Sequence, residues 1–270
     1  MQRKSSQPIG IFDSGVGGLT VASAIKQLLP DESLIYFGDT AHLPYGDKSK
    51  ETVSYYSEKI AEYLLDQHCK IIVIACNTAS ANAYESVVKH VNNHAIVLNV
   101  IDPVVEYVAS LNNIHCIGVI GTKGTINSGT YESKIKIRKP EVDVVSMATP
   151  LFVPMIEEGF IFDDISNAIV RSYLSKKELN NIDSLILGCT HYPIIKNQIS
   201  KFYNFKVEVI DSSKIVALNL RKVLKESNLE NPEKNPDYSF YVSDYTDYFK
   251  AISKLFFEEE INLEKLNFWN

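Results

Sequence analysis

The chain has 270 residues, enough to bury a real core in one large or two medium domains. Its net charge of −6, from 27 basic and 33 acidic residues with no block of like charge, argues against a nucleic-acid surface, and no apolar run approaches the roughly 20 residues of a membrane span. The four cysteines, Cys69, Cys76, Cys116 and Cys189, lack CxxC spacing, and three fall in or at the ends of predicted strands. Reduced thiols in a cytoplasm are therefore expected, with no disulfide framework and no apolar leader in MQRKSSQPIG.

In chain order, residues 8–12 read as a first strand, and DSGVGGLTV (13–21) as a glycine-rich turn opening a helix that ends near Pro30. Gly15, Gly17 and Gly18 expose amides at that helix start, but GxGxxG spacing and a following lysine are both missing. Neither a dinucleotide fingerprint nor a P-loop is present. Residues 33–37 form a second strand, and 38–49 a long polar loop of the kind that lines a site. The next helix places Val53, Tyr56, Ile60, Tyr63 and Leu64 in one stripe. Then comes IIVIACNTAS (71–80), an unbroken apolar strand suited to burial on both faces of a parallel sheet. Cys76 sits at its carboxyl end, where such sheets bind ligands, and Asn77 and Thr78 open a helix running to about Val91.

Residues 95–100 form another strand, and Ile101, Asp102 and Pro103 mark a turn or helix start where the chain crosses between lobes. The second half supplies a strand over 115–120, the turn GTKGTINSGTY, a basic and irregular stretch to Pro140, and a strand over 142–146. In TPLFVPMIEEGF, Glu157 and Glu158 follow an apolar face. The strand over 182–187 delivers Cys189, Thr190 and His191, and 207–210 is a further strand. Asp211, Ser212 and Ser213 cap a helix with Val216, Leu220, Val223 and Leu224 on one face. After a polar loop at 231–236, a strand over 239–242 and a helix over 245–257 are too small for a domain and are expected to pack back on the first lobe.

The halves echo each other: IGIFDSG (9–15) resembles IGVIGTK (117–123), and the strand ending at Cys76 resembles the one ending at Cys189, at nearly the same offset. The expected fold is α/β, with two similar parallel-sheet lobes related by a pseudo-twofold axis and the active site in the cleft between them. Residues 1–99 and 211–270 form the first lobe, with Asp13 and Cys76; residues 100–210 form the second, with Glu157, Cys189 and His191.

A thiol is only a few per cent ionised at neutral pH, so a reactive one needs donors or a basic partner. Asp13 should lie beside the Cys76 strand end, and His191 is two residues past Cys189. Two acid/base groups on opposite faces of one carbon remove a proton from one side and return it on the other, which is racemisation or epimerisation. Each residue also has a structural reading: a buried cysteine, a capping Asp13, a helix-start His191, a solvated Glu157. A metal on Cys76, Cys189 and His191 would lack paired-ligand spacing, so none is expected. A hydrolase or lyase with one working cysteine, or a binding module, would not need both.

The motifs FDSGVGGLTV (12–21), GDTAHLPYG (38–46), ACNTASA (75–81), GTKGTINSGTY (121–131) and GCTHYP (188–193) together resemble the glutamate racemases of the cofactor-independent aspartate/glutamate racemase superfamily. They span both halves in order. The resemblance implies interconversion of L- and D-glutamate without a cofactor, in the cytoplasm, supplying D-glutamate for peptidoglycan, often as a homodimer. It places catalytic thiols at Cys76 and Cys189, with Cys76 taking the proton from D-glutamate and Cys189 from L-glutamate. Assisting groups fall at Asp13 and His191, with an assisting carboxylate at Glu157 in preference to Glu158. Glutamate-binding positions fall at Asp13, Ser14, Tyr45, Gly46, Asn77, Thr78, Thr190 and His191. The departure is His42, where many relatives carry Arg; a changed loop surface is expected, with no catalytic role. Aspartate or hydantoin is the alternative substrate.

Overall fold

The computed structural model describes residues 3–257 and 259–269. The first half alternates strands and helices: β1 (Ile9–Asp13), α1 (Leu19–Leu28), β2 (Leu34–Gly38), α2 (Lys50–Asp66), β3 (Ile71–Ile74), α3 (Asn77–Val91), β4 (Ile96–Asn99) and α4 (Ile101–Ser110). In α2, Ser49 caps the first turn by accepting from the Thr52 amide, and Val53, Ser57, Ile60, Ala61 and Leu64 face inward. Tyr56 and Tyr63 of the expected stripe lie at its half-buried margin. The crossing at Ile101 starts α4: Asn99 Oδ1 accepts from the amides of Ile101 and Asp102. Pro103 is tolerated because it falls in the first turn, where amides have no helical partner.

The second half runs β5 (Cys116–Gly121), α5 (Lys123–Asn127), α6 (Thr130–Arg138), β6 (Asp143–Ala148), α7 (Phe152–Glu157), α8 (Asp164–Leu174), β7 (Ser184–Gly188), α9 (Lys196–Phe202) and β8 (Glu208–Ile210). It is followed by α10 (Ser212–Glu226), β9 (Tyr238–Val242), α11 (Asp247–Phe256) and β10 (Leu263–Lys265). The stretch before Pro140 is thus not irregular but the helix α6, started by the left-handed Gly129 (φ 64°). Only Tyr131 and Ile135 of α6 are buried, so its basic residues leave little periodic signal.

Both sheets are parallel throughout, with orders β10-β9-β2-β1-β3-β4 and β6-β5-β7-β8. In each, the first strand of its half (β1 or β5) has its successor in sequence (β2 or β6) on one side and the strand that precedes the cysteine (β3 or β7) on the other. The C-terminal β9 and β10 extend the first sheet beyond β2, so the end of the chain packs on the first lobe. Successive residues of β3 feed different cores: Ile71 and Val73 join α1 and α10 residues, whereas Ile72 and Ile74 join α2 and α3 residues. Leu185 and Leu187 of β7 enter the first of these cores too, which links the sheets, while Ile186 packs with Val104, Val108 and Ile135. This two-sided burial is why Ile71–Ile74 of β3 and 185–187 of β7 are unbroken apolar runs. Among the described residues no helix is long and apolar enough to cross a membrane.

Before β3, Lys70 is buried and ion-pairs with Glu32 at 2.6 Å, while Glu32 also accepts from the Asn231 amide at 2.8 Å. Lys70→Met leaves the Glu32 charge buried and should cost about 3–5 kcal/mol, with much of it restored in the Lys70→Met/Glu32→Gln pair. Urea unfolding of the three proteins checks this.

Candidate functional site

The carboxyl ends of β1, β3 and β7 and the loops after them surround a cavity of about 280 Å³. This is at the small end of ligand pockets, which run from about 300 Å³ upward. Ser14, Tyr45, Gly46, Cys76, Asn77, Thr78, Glu157, Cys189, Thr190 and His191, all singled out in the sequence, line it. Asp13 lies behind this wall, fully buried.

Asp13 closes β1, and its Oδ2 accepts from the amides of Gly15 (3.1 Å) and Gly18 (3.0 Å), so the glycine turn wraps the carboxylate. Burial pushes its pKa up, more than the His191 charge and the turn amides pull it down. Cys76 caps α3: its sulfur accepts from the Ala79 amide at 3.4 Å and lies 3.6 Å from the Ser14 hydroxyl. Burial, reinforced by the Asp13 charge, pushes the Cys76 thiol up to about 12, so it is held protonated at neutral pH.

The other side differs. Cys189 Sγ is 3.8 Å from His191 Nδ1, and His191 Nε2 is 2.9 Å from Glu157 Oε1. Thiol, imidazole and carboxylate form one chain of contacts. Burial opposes the imidazolium, but hydrogen bonds to Cys189 and Glu157 outweigh it and raise the His191 pKa to about 10. Glu157 ends α7, facing the cavity, while its neighbour Glu158 is exposed.

The lobes are joined across the site. Thr20 donates to the Thr190 carbonyl at 3.1 Å, and Thr190 Oγ1 is 3.5 Å from Asp13 Oδ1. A Cβ on Gly17 would lie 2.4 Å from His191 Nδ1, so only glycine permits this approach. Thr78 meets Thr122 at 2.8 Å and Thr125 at 3.2 Å. Asn77 Oδ1 accepts from the Tyr131 hydroxyl at 2.7 Å, which fixes the amide orientation, and its buried Nδ2 has no protein partner among the described residues. A buried donor without a partner costs about 1–3 kcal/mol, and a bound acceptor in the cavity would supply it. The Tyr45 hydroxyl is engaged by Asp39 at 2.7 Å, so Tyr45 offers the cavity its ring and backbone.

Sequence reasoning had assigned no role to Thr122, Thr125, Tyr131 or Thr149. The first three lie in GTKGTINSGTY, whose signal was the threonine-to-threonine spacing of a helix cap: Thr122 accepts from the Thr125 amide. Thr149 lines the cavity and bonds Tyr192 at 2.7 Å, a pairing no local pattern marks.

His191 yields a pH prediction. Its folded pKa (about 10) lies above the ordinary 6.5, so its contribution to stability is complete below about pH 6.5 and is lost as pH rises towards 10. His191→Asn should remove that component. Urea unfolding from pH 6 to 10 should show the gap between the native protein and the variant shrinking; a constant gap would refute the charge pairing.

Comparison with known proteins supplies the remaining observation. The Asp/Glu/hydantoin racemase family profile matches residues 18–219. The chain is 44% identical over 237 residues, 87% of each protein, to a glutamate racemase of Geobacter metallireducens. It superposes with a TM-score of 0.91 on the glutamate racemase of Francisella tularensis in complex with D-glutamate, at 42% identity over 97% of both chains. The Aquifex pyrophilus glutamate racemase structure gives 0.81 at 39% identity, covering 96% of this chain and 98% of that one.

Proposed function

The chain belongs to the Asp/Glu/hydantoin racemase family of isomerases, and from that premise we propose that it interconverts L- and D-glutamate with Cys76 and Cys189 as the two bases. The observation that carries the proposal is one small cavity lined by two buried thiols, one at the end of each cysteine-bearing strand. For L-glutamate, the Cys189 thiolate takes the Cα proton and the electron pair moves towards the α-carboxylate. The Cys76 thiol then gives its proton to the opposite face, leaving a Cys76 thiolate and D-glutamate. The reverse reaction exchanges the roles. The pair titrates as a unit, since each direction starts from one thiol and one thiolate.

His191, between Cys189 and Glu157, supports thiolate formation on its side, and Asp13 acts on the Cys76 side. Substrate carboxylates are assigned to the Asn77 amide, Ser14, Thr78, Thr190 and the α3 amides, with Tyr45 and Gly46 closing the pocket. In this reading residues 1–99 with 211–270 form one lobe and 100–210 the other, and the D-glutamate serves peptidoglycan synthesis in the cytoplasm.

Cys76→Ser and Cys189→Ser should each abolish racemisation, because one base does not reach both faces. Asp13→Asn and His191→Asn should slow the reaction and change the primary isotope effect unequally in the two directions. Initial rates with Cα-deuterated L- and D-glutamate, followed by circular dichroism, test this. Near-normal racemisation by either serine variant would sink the two-thiol mechanism, and identical isotope changes would sink the side assignments.

The pocket should also separate glutamate from aspartate, since one methylene is worth roughly 10- to 200-fold in kcat/KM. Equal turnover of the two acids would make aspartate racemisation the better reading.

A further inference from the structure

We propose that Asp39 and Trp269 are positioning residues: a buried hub through which the C-terminal tail holds the cavity wall carrying Tyr45 and Gly46, and so sets ligand affinity. Asp39 follows β2 and is fully buried. Its Oδ1 accepts from Ser243 Oγ and from Trp269 Nε1, both at 2.8 Å. Its Oδ2 accepts from the Tyr45 hydroxyl at 2.7 Å and lies 3.0 Å from His42 Nδ1. Four side chains from three separate parts of the chain therefore converge on one carboxylate, and only Tyr45 among them lines the cavity. Ser243 also accepts from the Ala41 amide at 2.9 Å, which ties the loop backbone to the end of β9.

Trp269 is wedged against this loop as well as bonded to it. Its ring meets His42 edge-on at 4.7 Å and Tyr56 at 5.2 Å, while His42 stacks on Tyr56 at 4.1 Å. A buried carboxylate depends on its donors, so losing the indole N–H shifts the load onto Tyr45, His42 and Ser243 and loosens the wall. Trp269 and the ligand act on the same wall, so ligand binding at Tyr45 and Gly46 is expected to alter the environment of Trp269 through Asp39. Trp269 is the sole tryptophan, so its fluorescence reports on the hub alone.

This inference rests on the proposed function only for the identity of the ligand, glutamate. Titrating the protein with racemic glutamate should change Trp269 emission saturably, at the concentrations that saturate turnover. Trp269→Phe keeps the ring and removes the donor; it should raise the KM for glutamate about 3- to 10-fold, with kcat changed less than about twofold. Tyr45→Phe should raise KM similarly, and the double variant should be no worse than the worse single one. Without ligand, Tyr45→Phe should shift Trp269 emission. An unchanged KM in Trp269→Phe, a loss confined to kcat, or additive effects would overturn the hub. An unaltered emission in ligand-free Tyr45→Phe overturns it even where glutamate does not bind. Absence of both turnover and a glutamate-induced rise in melting temperature, with that emission shift present, overturns the substrate assignment and leaves the hub standing.

Discussion

An imidazole buried between a thiol and a carboxylate governs the electrostatics of this molecule. His191 is 3% exposed, with Cys189 on one ring nitrogen and Glu157 on the other. A cation in that position is held by its two partners, not by water. Its charge acts on Asp13 in the other half of the site, where it counters part of the burial that raises the carboxyl. Asp13 in turn pushes the Cys76 thiol up. The two sides are linked as one titrating system, and the close contact of Gly17 with His191 and Thr190 keeps them together.

The scaffold makes that linkage possible through burial on both sheet faces. Because β3 and β7 are covered on both sides, their cysteines arrive at the strand ends already out of water. Desolvation raises the Cys76 thiol and opposes the His191 imidazolium, and specific neighbours add to it or overcome it. At Cys76 the neighbour is a carboxylate, which adds to the desolvation; at His191 the neighbours are a thiol and a carboxylate, which overcome it. The same backbone device, strand then cysteine then polar helix start, thus stands beside different charged neighbours on its two sides.

How much of this the sequence carried follows from range. The runs ending at Cys76 and Cys189 were legible because two-sided burial writes an unbroken apolar string, and α3 begins and ends where its sequence suggested. Helix α6 was not, since only Tyr131 and Ile135 face inward, and β10 was not, since only Leu263 of its three residues is buried. In α8 the capping box of Asp163 and Ser166 is a local signal that was there to read. Pairings such as Asp39 with Trp269, 230 positions apart, or Asn77 with Tyr131, leave no local trace. His42 shows the limit from another side: its departure from the pattern suggested a change at the loop surface, yet its ring reaches inward to Asp39 and Tyr56.

The proposed reaction constrains what the asymmetry of the two flanks does. L- and D-glutamate are mirror images with equal free energy in water, so the equilibrium constant is one and kcat/KM must be equal in both directions, whatever surrounds each thiol. A thiol held protonated at Cys76 and an imidazolium beside Cys189 therefore cannot favour one product. In the proposed reaction L-glutamate meets Cys76 as a thiol, the form in which burial and the Asp13 charge hold it. The D-glutamate form is reached by turnover itself or by proton exchange between the two sides. Any difference between enantiomers is thus confined to how kcat and KM divide a common ratio, and to which proton transfer limits each direction.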